Sequence, residues 1–227
     1  MLGTFANCAA IIIGTLIGVT LKKGLPERLS TTIMQGVALC VLYIGISGSL
    51  EGNNTIVVII SLVLGGIIGC LLDLDGKLNK LGEWIQSKFQ KDGESKSTIA
   101  EAFVSASILF CVGAMAIVGS LQSGLTGNHE TLFTKSILDG ISSIIFASSL
   151  GIGTAFSAVA VLIYQGTITL LAEWVAPFLS EAVVADMTCA GSLLIVALAL
   201  NLLKITNIKV ANYLPGIFIP IIIYLFL

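Results

Sequence analysis

Asp139 is the residue of this sequence most suited to a chemical role, because it lies about one-third of the way into an otherwise apolar run at 132–149. An ionisable group inside a membrane helix costs on the order of 3 kcal/mol and normally faces a cavity, an ion or a partner. No Lys or Arg is expected within the apolar body of any run. We therefore expect a bound cation, such as sodium, or a proton as the partner of Asp139. A neutral acid that donates to nearby backbone and a position at the membrane interface are the alternatives.

Hydroxyl groups and glycines follow Asp139 at spacings that favour a binding site. Ser142 and Ser149 share a helix face with Asp139, and Gly151 and Gly153 interrupt the chain between two short apolar runs. Short, glycine-interrupted segments are typical of transporter sites, although small residues and hydroxyls also pack membrane helices together. The predicted substrate- or ion-binding residues are Asp139, Ser142, Ser143, Ser149, Gly151, Gly153, Gln35 and Gln165, with Asn7, Thr188 and Asn201 as secondary candidates that could instead bridge helices.

Signatures of catalysis and of metal binding are absent from the sequence. It contains no GxSxG, HExxH or GxxxxGK[ST] motif, and its only histidine, His129, falls in a predicted loop. The five cysteines lie within apolar runs without CxxC spacing, which is typical of small buried side chains. No basic tract indicates nucleic acid as a partner. We therefore expect no enzyme, no metal site and no cofactor beyond a bound ion.

The elements that must position these residues are apolar helices. Hydrophobic residues make up 56% of the chain and charged residues 11%, whereas soluble domains carry about 25% charged residues. This composition predicts an all-α protein in a lipid bilayer, where a spanning helix needs about 20 mostly apolar residues. Eight runs qualify or nearly qualify, at 2–21, 30–48, 54–72, 99–121, 132–149, 152–167, 183–203 and 209–227.

Basic residues set the expected orientation of these eight helices. With the N-terminus outside, ten of the eleven Lys and Arg residues fall on the cytoplasmic side and only Lys135 falls outside, which is the asymmetry that membrane insertion favours. Both termini are then external. The polar segment 77–90 carries apolar residues at helical spacing and predicts an amphipathic helix on the cytoplasmic surface. Glu101 is expected to be a solvated residue at a helix start.

A weak internal duplication predicts how the eight helices are organised. TTIMQG at 31–36 matches KSILDG at 135–140, which pairs Gln35 with Asp139, and DGKLNKLGEW at 75–84 matches QGTITLLAEW at 165–174. Each copy holds three spanning helices, so the second copy must enter the membrane from the opposite side. We therefore predict a first repeat at 1–95, an inverted repeat at 96–181 with an external amphipathic helix, and a terminal helix pair at 182–227.

Two small-residue faces predict close helix packing. Gly14 and Gly18 lie four residues apart in the first run, and Gly65 and Gly69 do so in the third. Such faces let backbones approach closely, either within one chain or between copies in a homo-oligomer.

Several stretches of the sequence resemble one known family. GTFANCAAIIIGTLIG near the start, LDGISSIIFASSLGIGTAFSA in the middle and CAGSLLIVALALNLLKI near the end are similar to the bacterial inner-membrane proteins of unknown function that include YqgA and YdfK. The resemblance covers nearly the whole chain. It implies a protein of the bacterial cytoplasmic membrane, of a kind often described as a candidate transporter, and it carries no established functional residues.

The pattern as a whole favours a secondary transporter of a small solute or ion, coupled to sodium or protons through Asp139. A passive channel is the main alternative, and it would need a continuous polar stripe, whereas the polar residues here cluster. A non-transporting membrane scaffold is the third reading, in which Asp139 would serve folding alone.

Overall fold

The computed structural model describes residues 1–22, 27–77, 80, 96–112 and 114–226, and this part of the chain contains helices and turns but no strand. The α-helices, in chain order, are α1 (Leu2–Lys22), α2 (Glu27–Ser49), α3 (Thr55–Leu71), α4 (Lys96–Cys111), α5 (Ala114–Leu125), α6 (Glu130–Leu150), α7 (Gly153–Leu170), α8 (Ala172–Val175), α9 (Glu181–Leu202) and α10 (Ile219–Tyr224). Two 3₁₀ helices occupy Ala176–Phe178 and Val210–Ile217. The all-α class predicted from the sequence is confirmed.

Each of the eight apolar runs contains helix, but not all are long enough to span a membrane by themselves. Leu2–Leu21, Gly153–Leu170 and Glu181–Leu202 are long and apolar enough, and the bent pair α4–α5 makes a fourth candidate. The apolar helices Gln35–Ser49, Thr55–Leu71 and Val210–Tyr224 are shorter. The predicted amphipathic helix at 77–90 lies almost entirely outside the described residues, and so does Trp84 of its repeated motif.

Two of the predicted helices are interrupted, which the sequence analysis missed. The run at 99–121 is divided into α4 and α5, whose axes differ by 61°. The sequence has a glycine at position 113, between the two helices, and glycine disfavours helix. The run at 209–227 begins as a 3₁₀ helix and continues as α10. Pro215 and Pro220 lie in that run and cannot donate the backbone hydrogen bonds of a continuous α-helix.

Glycines permit close packing between α1 and α6. A side chain at Gly14 would collide with the carbonyl of Gly140, and one at Gly18 would collide with the carbonyl of Ile144. The contacts advance in the same direction along both helices, so α1 and α6 run parallel. The prediction of close packing at this face is confirmed, and it occurs within one chain.

The other packed pairs have equally clear directions. Gly45 contacts Val196 and Gly48 contacts Ser192, so α2 and α9 are antiparallel. Gly65 meets Gly216 and Gly69 meets Asn212, so α3 is antiparallel to the 3₁₀ helix Val210–Ile217. The α7 helix runs antiparallel to α1 and parallel to α4–α5, as shown by the contact pairs Cys8–Ala158, Asn7–Gln165, Gly153–Ile99 and Gly124–Thr169.

The centre of the molecule is α9. Of its span, 72% is buried inside the protein, compared with 44% for α1 and 44% for α7. It packs against α2, α3, α4, α5, α10 and the 3₁₀ helix Val210–Ile217. Because α9 is enclosed by neighbours, polar groups on any of its faces must meet other protein groups or a cavity.

Candidate functional site

The side chain of Asp139 forms a buried ion pair with Lys135. The Lys135 ammonium donates to both carboxylate oxygens, at 2.9 Å to Oδ1 and 2.7 Å to Oδ2, and the two residues are only 5% and 6% exposed. Residues four apart on a helix are neighbours on one face. The expectation that no Lys or Arg lies within the apolar body of a helix is therefore wrong, because Lys135 is buried in α6 one turn before Asp139.

A second helix brings a neutral donor to the same carboxylate. The parallel packing of α1 on α6 places Asn7 Nδ2 2.9 Å from Asp139 Oδ2 and 3.4 Å from Gln165 Oε1 on α7. Asn7 and Gln165 are fully buried. The other amide atoms, Asn7 Oδ1 and Gln165 Nε2, have no hydrogen-bond partner among the described residues. Asn7 thus belongs to the site, where the sequence ranked it only as secondary.

The ion pair opens onto a cavity of about 430 Å³, the Asp139 cavity. Its wall is formed by α2, the turn after α2, α4, α5, α6 and α9. Polar or charged groups on this wall are Tyr43, Ser47, Glu51, Lys135, Asp139, Ser142, Thr188 and Ser192. The hydroxyl of Thr188 is buried and has no partner in the described part of the chain. A buried polar atom without a partner is unusual and suits a ligand or a water molecule.

The structure brings together only half of the predicted binding residues. Asp139 and Ser142 line the cavity, Gln165 joins them through Asn7, and Ser143 donates at 2.7 Å to the Asp139 carbonyl within α6. The hydroxyl of Ser143 is therefore used by its own helix.

The other predicted residues lie elsewhere. Gly151 ends α6 with a φ of 89°, and Gly153 contacts α4. Twelve residues of helix separate Asp139 from Gly151, which is about 18 Å. Ser149 is buried next to that turn, and its hydroxyl has no partner within the described ranges. Gln35, the repeat mate of Asp139, is exposed on α2.

A second cavity, the Asn201 cavity, has a volume of about 460 Å³. It lies at the opposite ends of α4 and α9, where Glu101, Ser105 and Leu198 form part of its wall. Asn201 organises the loop beside it, because its side chain bonds the Ile208 carbonyl, the Ile208 amide and the Thr206 hydroxyl. Glu101 therefore faces a cavity, and the expectation of a merely solvated helix start is incomplete.

Asp186 is a second buried aspartate, which the sequence analysis did not single out. It is fully buried near the start of α9. Its Oδ1 accepts from the backbone N–H groups of Asn53 and Asn54 at 2.7 and 2.8 Å, and its Oδ2 accepts from the Tyr224 hydroxyl at 2.9 Å. The only sequence signal was an acidic residue a few positions into the seventh apolar run, which is the same signal that marked Asp139.

Comparison with known proteins identifies relatives along nearly the full length of the chain. A family model described as "Protein of unknown function (DUF554)" matches residues 2–225. The chain is 34% identical over 224 residues to "Uncharacterized membrane protein YdfK" of Bacillus subtilis (strain 168), covering 97% of this chain and 94% of that protein. It is 29% identical over 219 residues to "Uncharacterized protein YqgA" of Escherichia coli (strain K12), covering 96% and 93%. No solved structure matches it significantly.

Proposed function

Because the chain belongs to the DUF554 family of proteins of unknown function, a family in which one relative is named as a membrane protein, we propose that it is a secondary transporter of a small solute or ion. The observation that carries this proposal is the pair of cavities at opposite ends of α4 and α9. Transporters bind their substrate near the middle of the membrane and expose the site to each side in turn. Two cavities that share the same two helices fit that mechanism.

Only short segments of α4 and α9 separate the residues that line the two cavities. On α9, Ile195 lines the Asp139 cavity and Leu198 lines the Asn201 cavity. On α4, the corresponding residues are Leu109 and Ser105. Three or four residues of helix correspond to about 5–6 Å. A shift of α4 against α9 by about one helical turn would therefore be enough to move a bound solute from one cavity to the other.

The directions of the packed helices support eight crossings of the membrane. In a chain that crosses eight times, odd-numbered spans run one way and even-numbered spans run the other. α1 and α6 are the first and fifth spans and are parallel, whereas α2 and α9 are the second and seventh and are antiparallel. The pairs formed by α3 with Val210–Ile217, by α1 with α7 and by α4–α5 with α7 also agree with this alternation.

The orientation of the protein in the membrane is part of the same proposal. Lys135 was the one basic residue counted on the outer side, and it is buried in the ion pair. The ten others then remain on one side, which supports external termini and insertion in a bacterial cytoplasmic membrane. The Asp139 cavity then opens outward and the Asn201 cavity inward. The two inverted repeats and the terminal pair remain part of the proposed architecture.

If the two cavities open in turn, a reagent that holds one open should protect the other from labelling. This mutual protection tests the transport mechanism without a known substrate. In a cysteine-free background, Ser142→Cys reports on the Asp139 cavity and Ser105→Cys reports on the Asn201 cavity. A bulky impermeant thiol reagent applied outside should react with Cys at 142. We expect this reaction to hold the outer cavity open and to slow labelling at 105 from inside at least several-fold.

The control is Thr126→Cys, which lies exposed in the turn after α5. Labelling at 126 should leave the rate at 105 unchanged. A channel predicts independent labelling at 142 and 105 together with ion conductance in planar bilayers. A scaffold predicts independent labelling without conductance, and either result would overturn the transporter proposal.

A further inference from the structure

We infer that the Asp139 cavity binds a zwitterionic solute the size of an amino acid, with its carboxylate at Lys135 and its ammonium group at Asp139 and Glu51. This inference rests on the proposed transport function and names its substrate class. It is carried by three features of the cavity wall: its paired charges, its broken helix and its size.

The charges on the wall are of both signs. Lys135 and Asp139 neutralise each other in the buried wall, and the exposed Glu51 adds a negative charge on the same cavity. Because Glu51 is exposed, water solvates its charge, and the buried charges of the wall sum to zero. A ligand with one charge would therefore leave a net charge beside the buried pair, which is costly. The ammonium group of a zwitterion can take the place of Lys135 beside Asp139, and its carboxylate can take the place of Asp139 beside Lys135. The total charge of the site is then unchanged.

The ion pair is also built so that it can open. Both Lys135 and Asp139 belong to one helix, so separating their side chains requires no movement of the backbone. The Asp139 carboxylate keeps the Asn7 amide as a second donor when Lys135 turns away. Lys135 has no second carboxylate partner in the described part of the chain, so a ligand carboxylate is its natural replacement.

The break between α4 and α5 supplies further donors for that carboxylate. The N–H groups in the first turn of a helix have no partner within the helix, and the helix dipole favours an anion there. Met115 and Ala116, in the first turn of the twelve-residue α5, line the Asp139 cavity. Thr188 is independent evidence for a ligand, because its hydroxyl is buried on the same wall, is 3% exposed and lacks a partner within the described residues.

The size and remaining lining of the cavity indicate a small, partly apolar solute. Its volume of about 430 Å³ lies near the lower end of the range of about 300–1,000 Å³ for ligand pockets. Much of the remaining wall is aliphatic, with Ile44, Leu109, Val112, Leu138 and Ile195. An amino acid with an aliphatic side chain would place that side chain against this surface.

Thermal unfolding of the purified full-length protein tests the substrate class. The probes are the twenty protein L-amino acids, and each aliphatic one is paired with its deaminated acid and its decarboxylated amine. We expect at least one aliphatic amino acid to raise the Tm in a saturable manner. The matched acid and amine, which each lack one charge, should not raise it.

Variants connect the binding to the named residues. Thr188→Val keeps the shape of the side chain and should raise the Kd about tenfold, in line with the loss of one hydrogen bond to a charged group. The double variant Lys135→Gln with Asp139→Asn keeps a hydrogen-bonding pair without charge, so that it folds, and should abolish the response. Ser143→Ala is the matched control, because that hydroxyl bonds its own helix, and it should leave the Kd unchanged.

Three outcomes would overturn the inference: no amino acid raises the Tm, an acid or amine alone does so equally well, or the uncharged double variant still responds. None of these would refute the transport proposal, which the mutual protection of positions 142 and 105 tests independently of any substrate.

Discussion

Two buried aspartates, Asp139 and Asp186, occupy similar places in the sequence and very different surroundings in the fold. Asp186 is held by three neutral donors from two other segments of the chain: the backbone amides of the turn before α3 and the hydroxyl of Tyr224. Asp139 is held by a flexible ammonium on its own helix and faces a cavity. A carboxylate tied by backbone amides is suited to joining helices, whereas a carboxylate with an exchangeable partner is suited to binding a solute.

The largest expected effect is on the ion pair. Lys135→Met leaves the Asp139 charge buried without its cation and should lower the free energy of unfolding by about 3–5 kcal/mol. Lys135→Met combined with Asp139→Leu removes both charges and should recover most of the loss. Chemical denaturation of the purified protein measures both. A double variant as unstable as the single one would mean that the pair is structural, like Asp186.

The next effect concerns Asp186. Asp186→Ala leaves two backbone amides and the Tyr224 hydroxyl without their acceptor and should cost about 2–4 kcal/mol. The loss should be smaller than for Lys135→Met because Asn53 is exposed and water can reach its amide. Tyr224→Phe removes one donor of the three and should cost about 1 kcal/mol. Amino-acid binding should persist in both variants. Its loss would contradict the assignment of a structural role to Asp186 and a binding role to Asp139.

The packing of α1 on α6 holds Asn7 against Asp139, and a matched pair of glycines tests it. Gly14→Ala would force a methyl group into the Gly140 carbonyl and should cost about 1–3 kcal/mol. Gly36→Ala is the control, since no atom lies within 4 Å of its new Cβ. It should be neutral or slightly stabilising because alanine favours helix. Equal stabilities measured by thermal unfolding would contradict the close approach of α1 and α6.

The smallest expected effect is that of sodium. Both oxygens of Asp139 already accept from Lys135, so we expect the Tm to be the same when sodium replaces potassium at constant ionic strength. Asp139→Asn should behave identically in this respect. A sodium-dependent rise in Tm for the wild type, lost in Asp139→Asn, would restore the cation site first expected from the sequence and would argue against Lys135 as the resident partner.

The fold was largely predictable, and the site was predictable in part. Asp139 and Ser142 were found because polar residues stand out in an apolar run, and the glycine faces were found because their spacing is that of one helix turn. Lys135 was counted among the solvated residues of the outer side, since a charge count treats basic residues as solvated. Long side chains can instead lie along a helix and pair with a residue four positions away.

The amino-acid sequence by itself determined that this is a helical membrane protein, because composition and the length of apolar runs govern whether a segment prefers lipid. It also determined where most helices begin and end. The tertiary structure alone decided that the Asp139–Lys135 pair meets Asn7, that Asp186 accepts from the backbone amides of Asn53 and Asn54, and that two cavities lie at opposite ends of α4 and α9. These features depend on which helices pack together and in which direction, and contacts between residues more than a hundred positions apart leave no periodic signal in a single sequence.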